Sequence, residues 1–366
     1  MKVYYWSPHL SKVATVKSVM NSSIIMRNNG FNTKIINAVG EWNDYDKNQI
    51  INIYNSSKFY DLLPKKGFLK SRLSYFLIFF SCFIPLLKLL KKDKPDYLVI
   101  HLITSLPLIL NLLFNLNIKI ILRISGKPHM NFLRYFFWKI ALKKIFCITT
   151  PTNETLIDLK KLNIFDINKI FLLTDPILEN VNYHYKNIYK KKNFLCVGRL
   201  SKQKNFLFIL KCFKFLINKY LDINLKIVGS GEELKNLENY IYKNKMNTYV
   251  ELIPYNESIE KYYKESDCFI LGSLWEDPGF VIVEAANYDL PVISSDCPSG
   301  PKEILENGIG GFLFKSNNVN DFLKKFDEFM ETDSKYIRNK NVAIRRNIEK
   351  YTFFNHYKLF VNILKF

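Results

Sequence analysis

Short apolar runs separated by helix-length stretches recur along this chain in two series. That rhythm leaves few options besides parallel sheets flanked by helices. In the first series, residues 2–6, 31–37, 96–101, 118–124, 144–149 and 169–173 read as strands. Residues 13–28 have helical length, with Gly30 just beyond as a stop signal. Residues 183–193, YHYKNIYKKKN, follow the turn signal Asp175-Pro176, carry no apolar period and read as a linker. Beyond them 194–197, 224–228, 250–253, 268–271 and 292–294 read as strands, and 206–220, 232–245, 258–265 and 279–288 as helices. The pattern predicts an α/β chain of two Rossmann-like domains, 1–185 and 186–351, and an aromatic helix over 352–366.

Charge separates the two halves. Residues 1–185 hold 25 Lys and Arg against 11 Asp and Glu, a net of +14; residues 186–366 hold 28 against 22, a net of +6. Between Leu62 and Asn153, 15 basic residues face only Asp93 and Asp96. Abundant Lys, Asn, Ile, Phe and Tyr would follow from AT-rich coding DNA, but that explains the number of lysines and not their placement. A one-sided field attracts a membrane face, nucleic acid or phosphorylated ligands. With 48% hydrophobic residues, wholesale disorder is excluded. The six cysteines form no CxxC pair, and the start of the chain lacks secretory features, so they read as reduced cytoplasmic thiols.

The most apolar stretch, 73–87, has Lys and Arg on both sides. It reads either as a core helix or as an element dipping into one leaflet of an anionic membrane. No apolar run reaches the roughly 18–20 uncharged residues of a spanning helix, and Pro85 interrupts this one.

Four strings carry chemistry. Gly198-Arg199-Leu200-Ser201-Lys202-Gln203-Lys204 lies between a strand and a helix, where glycine backbone, helix dipole and two cations suit a diphosphate. Gly229-Ser230-Gly231-Glu232 repeats the strand–glycine–helix order without a third glycine. In Glu276-Asp277-Pro278-Gly279-Phe280-Val281-Ile282-Val283-Glu284, Gly279, Phe280 and Val281 open a helix. Their N–H groups can meet an anion or a sugar hydroxyl, and the two carboxylates can accept from sugar or ribose O–H groups. A Pro- and Gly-rich loop follows from Ser295 to Glu303, then Gly308, Gly310 and Gly311.

In their order, G-R-L-x3-K, V-G-x-G, S-x2-E-D-P-G-F-V-x2-E-A, P-V-I-S-S-D-C-P-S-G-P-x-E-I-L and G-x2-G-F-L-F, these strings resemble the donor half of glycosyltransferase family 4. The D-C-P-S-G-P string is similar to bacterial lipopolysaccharide, O-antigen and capsule enzymes. The resemblance is strong over about 190–330. Over 1–185 it rests on Leu122-Arg123-Ile124-Ser125-Gly126-Lys127-Pro128 and Thr150-Pro151-Thr152.

It implies a GT-B fold, two Rossmann-like domains facing across a cleft, with the last helix crossing back to the first. It implies a retaining transferase without metal or other cofactor. The enzyme would move a hexose or N-acetylhexosamine from a UDP-sugar to a lipid-linked or lipopolysaccharide glycan, at the cytoplasmic face of an anionic membrane and without nucleic acid as partner. Arg199 and Lys204 would hold the diphosphate beside Gly198 and Gly229. Glu284 would take the ribose hydroxyls, and Glu276 with the backbone of Gly279, Phe280 and Val281 the sugar and distal phosphate. Glu276, Arg199 and Lys204 would be the catalytic set. Candidates toward the acceptor are Lys12, Thr15, Arg123, Ser125, Gly126, Lys127 and His129, with His101 nearby. Where many relatives have Gly-Gly after the first strand, this chain reads Ser7-Pro8-His9; where they have Gly before P-V-I, it reads Asp289-Leu290. A GT-B phosphorylase or sugar-nucleotide epimerase, or a basic nucleic-acid-binding protein, are the alternatives.

Overall fold

The computed structural model describes residues 1–10, 14–54, 58–64, 68–183, 191–220, 222–255 and 259–366. They form two compact units, Met1–Ile177 with Phe353–Phe366, and Leu178–Thr352. Most of the expected linker, 184–190, lies outside the described residues.

The first unit is built from β1 (Lys2–Trp6), α1 (Ala14–Asn28), β2 (Asn32–Asn37), β3 (Ile50–Asn52), α2 (Lys58–Leu62), α3 (Phe68–Asp93), β4 (Tyr97–Ile100), α4 (Ser105–Phe114), β5 (Lys119–Arg123), α5 (Phe132–Ala141), β6 (Cys147–Thr150), α6 (Asn153–Lys161) and β7 (Ile170–Leu172). Its seven strands are all parallel, in the order β3-β2-β1-β4-β5-β6-β7. Both sheet faces are covered, which is why the strands are almost wholly apolar. Tyr4, Trp6, Leu98, Ile100 and Leu122 face the layer of α3, α4 and α5, whereas Val3, Tyr5, Tyr97, Val99 and Ile121 face α1 and the C-terminal helix.

The second unit holds β8 (Asn193–Val197), α7 (Phe206–Lys219), β9 (Asn224–Val228), α8 (Leu234–Lys243), β10 (Val250–Ile253), α9 (Glu260–Glu265), β11 (Cys268–Leu271), α10 (Phe280–Asn287), β12 (Val292–Ser295), α11 (Pro301–Ile304), β13 (Phe312–Phe314), α12 (Val319–Glu331) and α13 (Ser334–Ile348). Its six parallel strands run β10-β9-β8-β11-β12-β13. The last helix, α14 (Phe353–Lys365), belongs to the first unit and packs on α1. There His356 accepts or donates at Ser22 Oγ (2.8 Å) and Tyr97 donates to the Leu364 carbonyl (2.8 Å).

Two parallel-sheet Rossmann-like units therefore stand as expected. The units divide between Ile177 and Leu178, where 185 and 186 were expected, and the expected interruption at Pro85 does not occur. Helix α3 runs unbroken through Pro85, and within it Ser71–Asp93 is 23 residues of mean hydropathy 2.1, long and apolar enough by length and composition to cross a membrane. Arg72 at one end and Lys88, Lys91 and Lys92 at the other lie inside this span, while its uncharged part remains 73–87. Proline in a helix interior costs about 3 kcal/mol, and here Ile78, Cys82, Leu86 and Leu90 bury one side of the helix in the core.

Candidate active site

Chain reversals at the carboxyl ends of the second unit's parallel strands converge, the usual ligand-binding end of such a sheet. After β8 the backbone turns at Gly198 (φ +155°) and is drawn against the β9 turn. Gly198 N–H donates to the Val228 carbonyl and Leu200 N–H to that of Ser230, both at 3.0 Å. A Cβ on Gly229 would stand 2.0 Å from the Gly198 oxygen, and one on Gly231 2.3 Å from the Leu200 oxygen. Only glycine allows these two loops to touch. The β11 loop is pressed in the same way on the β12 loop. Glu276 N–H donates to the Pro298 carbonyl at 3.0 Å, and a Cβ on Gly300 (φ +137°) would lie 1.8 Å from the Pro278 oxygen.

Lys204 and Glu276 meet where the loops join. Lys204 Nζ is 2.6 Å from Glu276 Oε1, and the two side chains are 14% and 5% exposed. Ser273 donates to the same oxygen at 2.5 Å, and its own carbonyl accepts from Ser295 Oγ at 2.7 Å. Gln203 and Leu274 stitch the β8 and β11 loops through bonds of 2.9 Å. Gly198 and Gly279 flank the pair: a Cβ on Gly198 would sit 3.2 Å from Lys204 Cε, and one on Gly279 (φ +97°) 3.4 Å from Glu276 Cγ. Gly279 caps α10, so the first N–H groups of that helix, Phe280 and Val281, open toward this junction. The structure thus brings Gly198, Gly229, Lys204, Glu276 and Gly279 into one cluster. Arg199 is next in chain, exposed, and makes no ion pair among the described residues.

Glu284 is half-buried on the second turn of α10, where Tyr263 O–H donates to its Oε2 at 3.0 Å. Burial, then the charge of Glu284, holds the Tyr263 phenol well above its usual range, so it remains a donor. Ser273 stood in the quoted motif without a role; Tyr263 had no sequence signal. Asp289, standing where relatives carry glycine, adopts φ +59°. Asn341 holds it by a bond to its carbonyl (2.7 Å), and Arg345 by a buried ion pair at 3.2 Å.

The first unit places its candidates differently. Arg123 is buried: its guanidinium donates to the Leu173 carbonyl at 2.5 Å and to Asp175 Oδ1 at 2.6 Å, and Ser18 donates to that same oxygen. Its charge is spent inside the fold. Lys127 and His129 are exposed, Lys127 3.4 Å from Asp158; Thr15, Ser125 and Gly126 are half-buried in or beside strand-end loops. Lys12 lies outside the described residues. Thr152 caps α6 by accepting from Thr155 N–H.

A second group includes His101, a candidate from the sequence, and Trp42, which the sequence did not single out. At the ends of β1, β2 and β4, the buried polar atoms Ser7 Oγ, Trp42 Nε1 and His101 Nδ1 have no hydrogen-bond partner among the described residues. Burial, with the nearby charges of Arg123 and His356, holds His101 neutral. His9 packs edge-on to Trp42 with centroids 4.8 Å apart, and Glu41 accepts from Ala38 and Val39 N–H.

Residues 184–350 match the family model described as glycosyl transferases group 1. The chain is 32% identical over 247 residues to an uncharacterized glycosyltransferase of Methanocaldococcus jannaschii, a match spanning 60% of each protein. It is 29% identical over 291 residues to the UDP-Gal:alpha-D-GlcNAc-diphosphoundecaprenol alpha-1,3-galactosyltransferase of Escherichia coli, covering 71% of this chain and 74% of that protein. A glycosyltransferase structure from Rickettsia africae superposes with a TM-score of 0.78 at 17% identity, over 100% of this chain and 98% of that one.

Proposed function

We propose that this GT-B chain, whose residues 184–350 match the glycosyl transferases group 1 model and which resembles bacterial surface-polysaccharide enzymes, carries out a retaining, metal-independent hexosyl or N-acetylhexosaminyl transfer from a UDP-sugar to a lipid-linked glycan. The observation that carries this reading is the Lys204–Glu276 pair set among glycine turns. An ammonium has three donors, so Lys204 can keep Glu276 and still bind a phosphate oxygen. Arg199, with no ion pair among the described residues, supplies a bidentate partner. Phe280 and Val281 N–H add the helix dipole. Together they neutralise the charge that grows on the diphosphate as the sugar takes on oxocarbenium character. The bond from the anomeric carbon to phosphate breaks while the acceptor oxygen bonds to the same face. The departing phosphate oxygen takes the acceptor proton. Glu276 positions the sugar, and the Glu284 oxygens accept from ribose.

The orphaned Ser7, Trp42 and His101 atoms support recognition of a polar acceptor by the first unit. The name of the E. coli relative supports a lipid diphosphate-linked glycan as that acceptor. An excess of cations in residues 1–185 supports work at an anionic cytoplasmic membrane face.

The test is a donor screen over UDP-, GDP- and ADP-sugars, read by thermal shift and hydrolysis in the presence of a metal chelator. UDP-sugars should stabilise the protein and turn over despite the chelator. Arg199→Ala should lower turnover by about 10²–10³. Wild-type turnover in that variant, or turnover abolished by chelation, would overturn the reading.

A further inference from the structure

The first unit presents an apolar surface that its own core does not use. On α3 the side chains at 78, 82, 86 and 90 point inward, whereas Phe76, Phe80 and Ile84, one turn apart along the other side, are each 60% exposed. On α5 Trp138 and Ala141 are buried, but Phe132, Leu133 and Phe136 are 81%, 78% and 58% exposed. Topology puts the two stripes on one side of the sheet. The crossovers β3 to β4, β4 to β5 and β5 to β6 all advance in the same direction across it, and right-handed connections then leave α3, α4 and α5 in one layer. α4 packs against both neighbours, and the Phe83 and Phe114 rings, 6.5 Å apart, join α3 to its end. Single exposed apolar side chains are ordinary, but six large ones across a continuous helix layer mark a surface that something else covers.

Charge identifies the cover. Lys88, Lys91 and Lys92 on the last turns of α3, and Lys139, Lys143 and Lys144 at the end of α5, are exposed. They belong to the segment in which 15 basic residues face two acidic ones. Lys91 Nζ lies 4.8 Å from the Phe114 ring centroid, so cations rim the aromatic surface directly. A second copy of this chain would set cations against cations. An anionic bilayer would neutralise them while taking the aromatic rings out of water.

We propose that the α3–α5 layer lies in the interface of an anionic lipid bilayer, with Phe76, Phe80, Ile84, Phe132, Leu133 and Phe136 beneath the headgroups and the lysines among the phosphates. Because α3 keeps one side in the protein core, it lies along the membrane plane and does not span it. This inference deepens the membrane part of the reading above. Its test reads lipid binding alone, so its failure would leave sugar transfer standing.

The full chain is floated with vesicles of phosphatidylcholine, with and without phosphatidylglycerol. Binding should need phosphatidylglycerol, weaken with salt and yet persist in part, since salt screens the lysines and not the apolar contact. Phe132→Ser with Phe136→Ser should weaken partitioning by at least about tenfold, at an unchanged unfolding midpoint. In an otherwise unaltered chain, Phe136→Trp adds an indole whose emission, taken as the difference from wild type, should shift to the blue on adding anionic vesicles. The proposal falls if the serine variant binds as the wild type does, or if the difference emission of the Phe136→Trp variant does not move. It falls equally if sedimentation shows a dimer that the serine substitutions dissociate while vesicles go unbound.

Discussion

The strand ends of the two units are built by opposite means. In the second unit glycines let one backbone rest on another, as Gly229 does on Gly198 and Gly300 on Pro278. Arg199 is left facing outward, while Lys204 is held against Glu276. In the first unit the corresponding ends are filled by side chains, among them His9, Glu41, Trp42, His101 and Arg123. Two arginines make the contrast concrete. Arg199 is exposed and unpaired among the described residues, whereas Arg123 is locked to Asp175. Loops joined by backbone approach leave Arg199 without an ion pair among the described residues. Strand ends filled by side chains consume the charge of Arg123 in the fold.

Substitutions can break that contrast, beginning with the largest expected effect. Arg123→Ala leaves Asp175 buried without its cation and should destabilise the protein by about 3–5 kcal/mol in urea unfolding. Arg199→Ala, by contrast, should stay within about 0.5 kcal/mol of wild type. Equal stability losses would remove the distinction. Gly300→Ala forces a methyl group onto the Pro278 carbonyl at a left-handed φ, and should cost on the order of 3 kcal/mol in the same assay. A loss below about 1 kcal/mol would mean the two loops do not press together.

Glu41 gives a subtler effect. Burial pushes its carboxyl from 4.5 up to about 7, against the pull of the backbone N–H groups it accepts from. The folded state therefore holds a proton that the unfolded state has released. The carboxyl's contribution is full below about pH 4.5 and declines as pH rises toward 7, by roughly 3 kcal/mol in all. Thermal melts should show wild type falling relative to Glu41→Gln across that window. Parallel curves would place Glu41 in contact with water.

Legibility followed the same divide. Nine of the 13 glycines lie after residue 190, and the strings around them contain Lys204, Glu276 and Gly279, which the fold brings together. The second unit's strands were read nearly to their ends; only β13 went unassigned, although its Phe312-Leu313-Phe314 stood in a quoted string. In the first unit β3, α4, α5 and α6 were not foreseen, because a three-residue strand and apolar helices have no distinguishing period. Asp289 shows a further limit. A missing glycine signalled a doubtful turn, yet distant Asn341 and Arg345 hold the aspartate in the glycine conformation.

Local order in the chain determined two parallel-sheet units and the glycine turns around Lys204 and Glu276, because turns, strand runs and helix starts are written in adjacent residues. Folding alone decided that Arg123 is spent on Asp175 and that Tyr263 holds Glu284. It also decided that the stripes of α3 and α5 share a face. Each of these depends on residues far apart in sequence, brought together by the packing of helices on a sheet.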